Sequence, residues 1–234
     1  MGRRTWCWCL VVVLAGCAPG NPGLVVGGAL APSDDCSYEA SGPRLISGVL
    51  DVAPARVSYT MKAAVFNQLI NLSSSTGGMG RPPMADPNVM TIDRAEVELR
   101  DVQDNPIALA GASNPYTVPA TGLIPSSDGS EAGTGIAVAQ IIPPIIGEGL
   151  RGAEGSQIIA VVRFIGVTAG GAEVASAEFP WPIEICFGCL FGCQPTEEGG
   201  ALCQPSCTPG QDGLTISPAV CNDPPIFAGC LAEM

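Results

Sequence analysis

The sequence predicts an all-β fold: an antiparallel β-sandwich, immunoglobulin-like, with a C-terminal disulfide-rich loop segment. Three observations carry that prediction. Apolar residues alternate at Val57, Tyr59, Met61, Ala63 and Val65, with Ser58, Thr60 and Lys62 between them, the pattern of a half-buried strand. Between Ile158 and Ile185 two apolar runs flank Ala169-Gly170-Gly171-Ala172, a hairpin turn signal, because glycine tolerates the positive φ that tight turns need. Finally, the 234 residues include 30 Gly and 22 Pro, with 47% hydrophobic and only 14% charged, so short strands joined by many turns fit better than a disordered tether.

The chain opens on Met1-Gly2-Arg3-Arg4, then an apolar run from Thr5 to Gly16 of 12 residues, then Cys17. A positive start, a short apolar stretch and small residues at its end make a secretory signal over residues 1–16. The run is well short of the ~20 residues that span a bilayer as a helix. Leu14-Ala15-Gly16-Cys17 resembles the lipobox of bacterial lipoproteins. The resemblance covers residues 1–17 only. It implies cleavage before Cys17, a diacylglycerol on the Cys17 sulfur and a further acyl group (such as palmitate) on its new amino group. Ala18 rather than Asp after the cysteine implies the outer membrane. Buried acyl chains at ~0.8 kcal/mol per CH₂ make such an anchor firm. The Arg3-Arg4 pair matches the twin-arginine export signal poorly. The resemblance gives an address in the cell envelope and no activity.

Residues 17–34, with Pro19-Gly20, Asn21-Pro22-Gly23 and Gly27-Gly28, read as the lipidated cysteine and a flexible tether. The sandwich domain is expected over 35–185, beginning near Asp35-Cys36. Ser73 to Asn88 reads as a long polar loop. In 91–102, Ala95, Val97 and Leu99 alternate with Arg94, Glu96, Glu98 and Arg100, so a strand is predicted, although Ile92, Ala95, Leu99 and Val102 also fit helical spacing. Prolines in Ile141-Ile142-Pro143-Pro144-Ile145-Ile146 exclude a central strand or a long helix. A Gly170-Gly171 loop would set Val162 opposite Phe179, Phe164 opposite Ala177, Ala160 opposite Trp181, Ile158 opposite Ile183 and Arg163 opposite Glu178. In that register Pro180 sits where an N–H is needed, so either a bulge intervenes or pairing stops near Phe179.

Beyond Cys17, eight cysteines remain: Cys36, Cys186, Cys189, Cys193, Cys203, Cys207, Cys221 and Cys230. An even number in an exported chain reads as four disulfides, stapling residues 186–234, with one bridge tying Cys36 to that cluster. The sharper alternative is zinc, because Cys186-x2-Cys189 and Cys203-x3-Cys207 have usable ligand spacing. A redox reading of Cys186-x2-Cys189 lacks the βαβ pattern it needs.

There is no histidine, which removes Ser-His-Asp, Cys-His and His-metal chemistry together. Loss of residues 1–16 takes Arg3 and Arg4 from the 10 basic residues, leaving 8 against 22 acidic and a net charge of 8 − 22 = −14. Such a surface repels phosphate backbones, so no nucleic-acid partner is expected. Asp101, Asp104 and Asn105, beside Glu98, could offer oxygens to Ca²⁺, against the plainer reading of a polar turn. Asp34-Asp35 and Glu197-Glu198 read as solvated loop charges. Trp181 falls on the core face rather than on a sugar-binding surface. Asn71-Leu72-Ser73 is a glycosylation sequon that a bacterial lipoprotein leaves unmodified. The expectation is a membrane-anchored envelope protein with a non-enzymatic structural or surface-interaction role, an envelope protein or glycan as partner, and no catalytic residue, cofactor or metal. The alternatives are a glycan- or calcium-binding module and a hydrolase using two carboxylates.

Overall fold

The computed structural model describes residues 23–33, 35–54, 56–72, 85–109, 111–195, 201–205 and 209–211. In chain order the elements are β1 (Leu24–Ala29), β2 (Gly48–Asp51), β3 (Tyr59–Asn67), β4 (Met90–Arg100), β5 (Tyr116–Ile124) and β6 (Gly133–Ile142). They continue with α1 (Pro144–Gly149), β7 (Gln157–Thr168), β8 (Glu173–Ala175), β9 (Phe179–Cys186), β10 (Phe191–Pro195) and β11 (Ala201–Pro205). The fold is all-β, as expected. Nine strands form one sheet in the order β1-β3-β6-β5-β4-β7-β9-β2, with β8 beside β7, while β10 and β11 make a separate hairpin. The sheet is mixed, because β2 runs parallel to β9 and the other pairs are antiparallel.

The two layers of this fold are halves of that one curled sheet. β5 is the corner: it pairs with β4 from Met90↔Ile124 to Val97↔Tyr116, but with β6 only at Ala120↔Ala139 and Thr121↔Val138. Glycine makes the corner possible, since a Cβ on Gly133 would overlap the Pro125 carbonyl and one on Gly135 would lie 2.8 Å from the Leu123 carbonyl oxygen. Across the fold, the Trp181 Nε1–H of β9 donates to the Tyr59 hydroxyl of β3 at 3.1 Å, although the two strands are far apart in the sheet order. A bridge between Leu24 and Ser176 brings β1 to the residues just after β8. One core fills the curl, with Leu50, Tyr59, Met61, Ile92, Leu99, Ile141, Phe164 and Trp181 all buried. Gly48 lies on this seam, where a Cβ would overlap the Tyr59 hydroxyl and sit 3.0 Å from Trp181 Nε1. Both rings are buried and cannot retreat. Gly48→Ala is therefore expected to cost about 1–3 kcal/mol by overpacking, read as a lower urea midpoint.

The predicted strand patterns hold where alternation is regular. Val57, Tyr59, Met61, Ala63 and Val65 are buried, as are Ala95, Val97 and Leu99. The helical spacing of Ile92 and Ala95 has a β explanation: the register shifts between Ile92 and Arg94, so Asp93 is an extra residue and both apolar side chains reach the core. In the 158–185 hairpin, Ile158↔Ile183, Ala160↔Trp181 and Val162↔Phe179 pair as expected. The turn differs. Thr168 N–H donates to the Ala172 carbonyl at 2.9 Å and Gly171 has φ 88°, so the loop is Ala169-Gly170-Gly171. β8 then pairs one residue out of step with β9, as Ile165↔Ala175 shows, and the extra residue lies between Ser176 and Phe179. Phe164 N–H bonds to Ser176 Oγ there, in place of the expected pairing with Ala177. This bulge changes the ladder's alternation, so the Val161–Pro180 pair needs no N–H from proline. Arg163 pairs with Glu96, directly across in β4, at 3.5 Å, and not with Glu178 as expected.

Two expectations are corrected. The tether of 17–34 is too long, because Leu24–Ala29 is β1, paired to β3 with Leu24 fully buried. Gly27-Gly28 is no spacer: the register shifts between Val26 and Gly28, and Gly27 leaves room for the Phe66 ring. The Ile141–Ile146 run is split, with Ile141 and Ile142 ending the central strand β6 and Pro144 opening the short α1.

Candidate functional site

The densest group of chemistry-bearing side chains lies at the end of the sheet where β2 and β9 finish side by side, Asp51 opposite Cys186. Cys186 and Cys189 form a disulfide with Cα atoms 6.0 Å apart, closing a tight turn. Asp51 is fully buried beneath it. Its Oδ1 accepts from Ala53 N–H at 2.9 Å and Gly188 N–H at 2.8 Å, and its Oδ2 from Leu190 N–H at 3.0 Å. The turn's amides thus form a small nest that a carboxylate fills, and charge-assisted bonds of this kind are about twice as strong as neutral ones. On its other side the Asp51 peptide is held by Gln211, whose Oε1 accepts Asp51 N–H at 2.6 Å and whose Nε2 donates to Asp51 O at 3.0 Å. A side-chain amide here takes the place of a strand neighbour. Thr60 N–H donates to Gly210 O at 2.7 Å, so residues 209–211 close the gap between β2 and β3. The described part of the cysteine-rich segment is joined to the domain: β9 runs through Cys186, and 209–211 packs back against β2 and β3.

Asp51, Cys186 and Cys189 place a carboxylate oxygen and two sulfurs within 4.8 Å of one another, a donor set that thiolates would make suitable for zinc. Here the sulfurs are joined to each other and the carboxylate oxygens are taken by three N–H groups. The arrangement pins the turn to the end of β2. Cys36 is also disulfide-bonded. Cys193 and Cys203 sit opposite each other in the β10–β11 register. Cys17, Cys207, Cys221 and Cys230 lie outside the described residues, as do Ser73, Asp34 and Glu197-Glu198.

The Asp101–Asn105 stretch is the polar turn. Asp101 Oδ1 accepts from Gln103 N–H at 2.8 Å and Asn105 N–H at 2.9 Å, and these bonds, Asn105 first, hold its carboxyl below the ordinary range. Arg100 lies between Glu98 at 2.6 Å and Asp104 at 3.0 Å, putting a guanidinium where calcium was considered. Asn114 repeats the amide device, accepting from Leu99 N–H at 2.9 Å and donating to Leu99 O at 2.7 Å. Trp181 is in the core, as predicted.

Asp35 has the clearest electrostatic signature. The Ser33 hydroxyl, then the Ser37 hydroxyl and N–H, bring its carboxyl down to about 2. Because the folded value is depressed, its contribution is complete above the ordinary value of 3.8 and is lost as pH falls towards 2. A carboxyl-carbon NMR titration is expected to give a midpoint near pH 2, moving up towards 3.8 in Ser33→Ala; a wild-type midpoint near 3.8 would refute the assignment.

The residues that local sequence patterns missed, Asp51, Gln211 and Asn114, act on backbone groups brought to them by the fold. No family model, curated protein or solved structure matches this chain.

Proposed function

We propose that the chain is a lipid-anchored cell-envelope protein whose all-β domain has a structural or surface-interaction role rather than a catalytic one. The observation that carries this reading is the close succession of Leu14-Ala15-Gly16-Cys17 and the first strand, which begins at Leu24. An exported, anchored domain also fits the disulfide at Cys186–Cys189, since such bonds persist outside the reducing cytoplasm. The carboxylates serve structure: Asp51 fills the amide nest, Asp101 its own loop, and Glu98 and Asp104 hold Arg100.

The test is growth of a bacterial host expressing the gene with tritiated palmitate. The wild-type chain is expected to take up label and sediment with membranes, and Cys17→Ala to take up none. An unlabelled wild-type chain released into the soluble fraction overturns the proposal.

A further inference from the structure

We propose that the end of the domain carrying Ile70 and Leu72 rests on the lipid surface that holds Cys17, leaving the Cys186–Cys189 turn facing away from the membrane. This rests on the lipid-anchor reading above and adds an orientation to it.

The strands give the molecule two distinct ends. At one, β1 begins, β3 ends at Asn67 opposite Leu24, β6 begins at Gly133 opposite Asn67, and β7 ends at Thr168 opposite Met90. At the other lie Tyr59, Arg100, the start of β7, and Asp51 beside Cys186. The 12 residues of β7 separate them by about 40 Å of strand. The path from Cys17 to Leu24 is seven residue steps, which reach at most about 25 Å even when fully extended. The anchor therefore keeps the first end close to the bilayer.

That end offers apolar side chains to it. Gln68 N–H donates to Gly23 O at 2.8 Å, so the loop after β3 lies directly against the entry of β1. In that loop Ile70 is 57% and Leu72 68% exposed, and a bridge from Ile70 to Ser127 and the bond from Asn71 N–H to Ser127 O hold the loop in place. Two fixed, exposed aliphatic side chains beside a short lipid tether can insert at the headgroup boundary, each methylene contributing ~0.8 kcal/mol when buried. Of the carboxylates nearby, Asp128 accepts from Ser130 and Glu131 N–H groups and Asp86 from Asn88 and Leu72 N–H groups and the Ser126 hydroxyl, while Glu131 is exposed to solvent. Because the mature chain is acidic, the apolar contact is best read on zwitterionic lipid.

Tryptophan emission reports the orientation. Trp6 and Trp8 leave with the signal, so Trp181, 1% exposed, is the mature chain's own tryptophan and supplies a constant background. The lipidated protein is reconstituted into phosphatidylcholine vesicles with chains brominated near the headgroup, as Ile70→Trp and, at the opposite end, Phe187→Trp, where Phe187 is 43% exposed. Circular dichroism checks each fold, and Leu72→Trp replaces Ile70→Trp if the latter does not fold. The expected result is loss of about half the added emission at position 70 and none at 187, since interfacial side chains bury ~5–10 Å into the headgroup boundary. Floating protein with neither position quenched, or with 187 quenched alone, overturns the orientation and leaves the anchor standing. Protein that does not float with vesicles overturns the anchor and the orientation together.

Discussion

Asp51→Ala is expected to lower the unfolding free energy by about 3–5 kcal/mol, because it leaves three amide donors without their acceptor in a buried site. Those donors, Ala53, Gly188 and Leu190 N–H, converge from two chain segments that this carboxylate joins beside the β2–β9 ladder. The loss therefore loosens the disulfide turn as well as the end of β2. Asp51→Asn keeps one acceptor oxygen at the same place and is expected to cost about 1–3 kcal/mol, with part of the network intact. Urea denaturation gives the size of both effects, and amide exchange at Gly188 and Leu190 gives their location. An Asp51→Ala protein that melts with wild type and keeps both amides protected would show that the nest does not stabilise the turn.

Trp181→Ala is the other large effect, about 3–5 kcal/mol, because it empties the most voluminous side-chain position of the core. Trp181 stacks on Phe179 with ring centroids 6.2 Å apart and bonds to Tyr59 across the curl. Tyr59→Phe removes the hydroxyl and keeps the ring, so it is expected to cost only about 1 kcal/mol. The comparison separates cavity from hydrogen bond. Similar losses for both variants, followed by far-ultraviolet circular dichroism in urea, would mean that the polar contact and not the packing joins the two halves of the sheet.

Composition and alternation set the class of the fold and located four of the eleven described strands, β3, β4, β7 and β9. Period-two burial is written in adjacent residues, so β3, the later part of β4, and the β7–β9 pairing could be read without knowing their neighbours. It also placed Trp181 in the core and Pro180 next to an irregularity. Local patterns failed wherever a bulge broke the period. Asp93 made part of β4 imitate helical spacing, and the extra residue after Ser176 set Phe164 against Ser176 rather than Ala177. Glycine hid β1, since Gly27 and Gly28 carry no side chain to mark a face, yet their room for Phe66 and a shifted register is what the strand needs.

How Asp51 meets Gly188, Leu190 and Gln211 is set by the closed fold alone. Asp51 has no local sequence signature, and its partners lie 137, 139 and 160 positions away at Gly188, Leu190 and Gln211. Gln211 and Asn114 act as strand neighbours through side-chain amides, so neither alternation nor turn chemistry announces them. The physical reason is the range of the forces involved. Burial periodicity is imposed on each strand by one nearby face, whereas a buried polar group is satisfied by whichever donors the closed fold delivers to it.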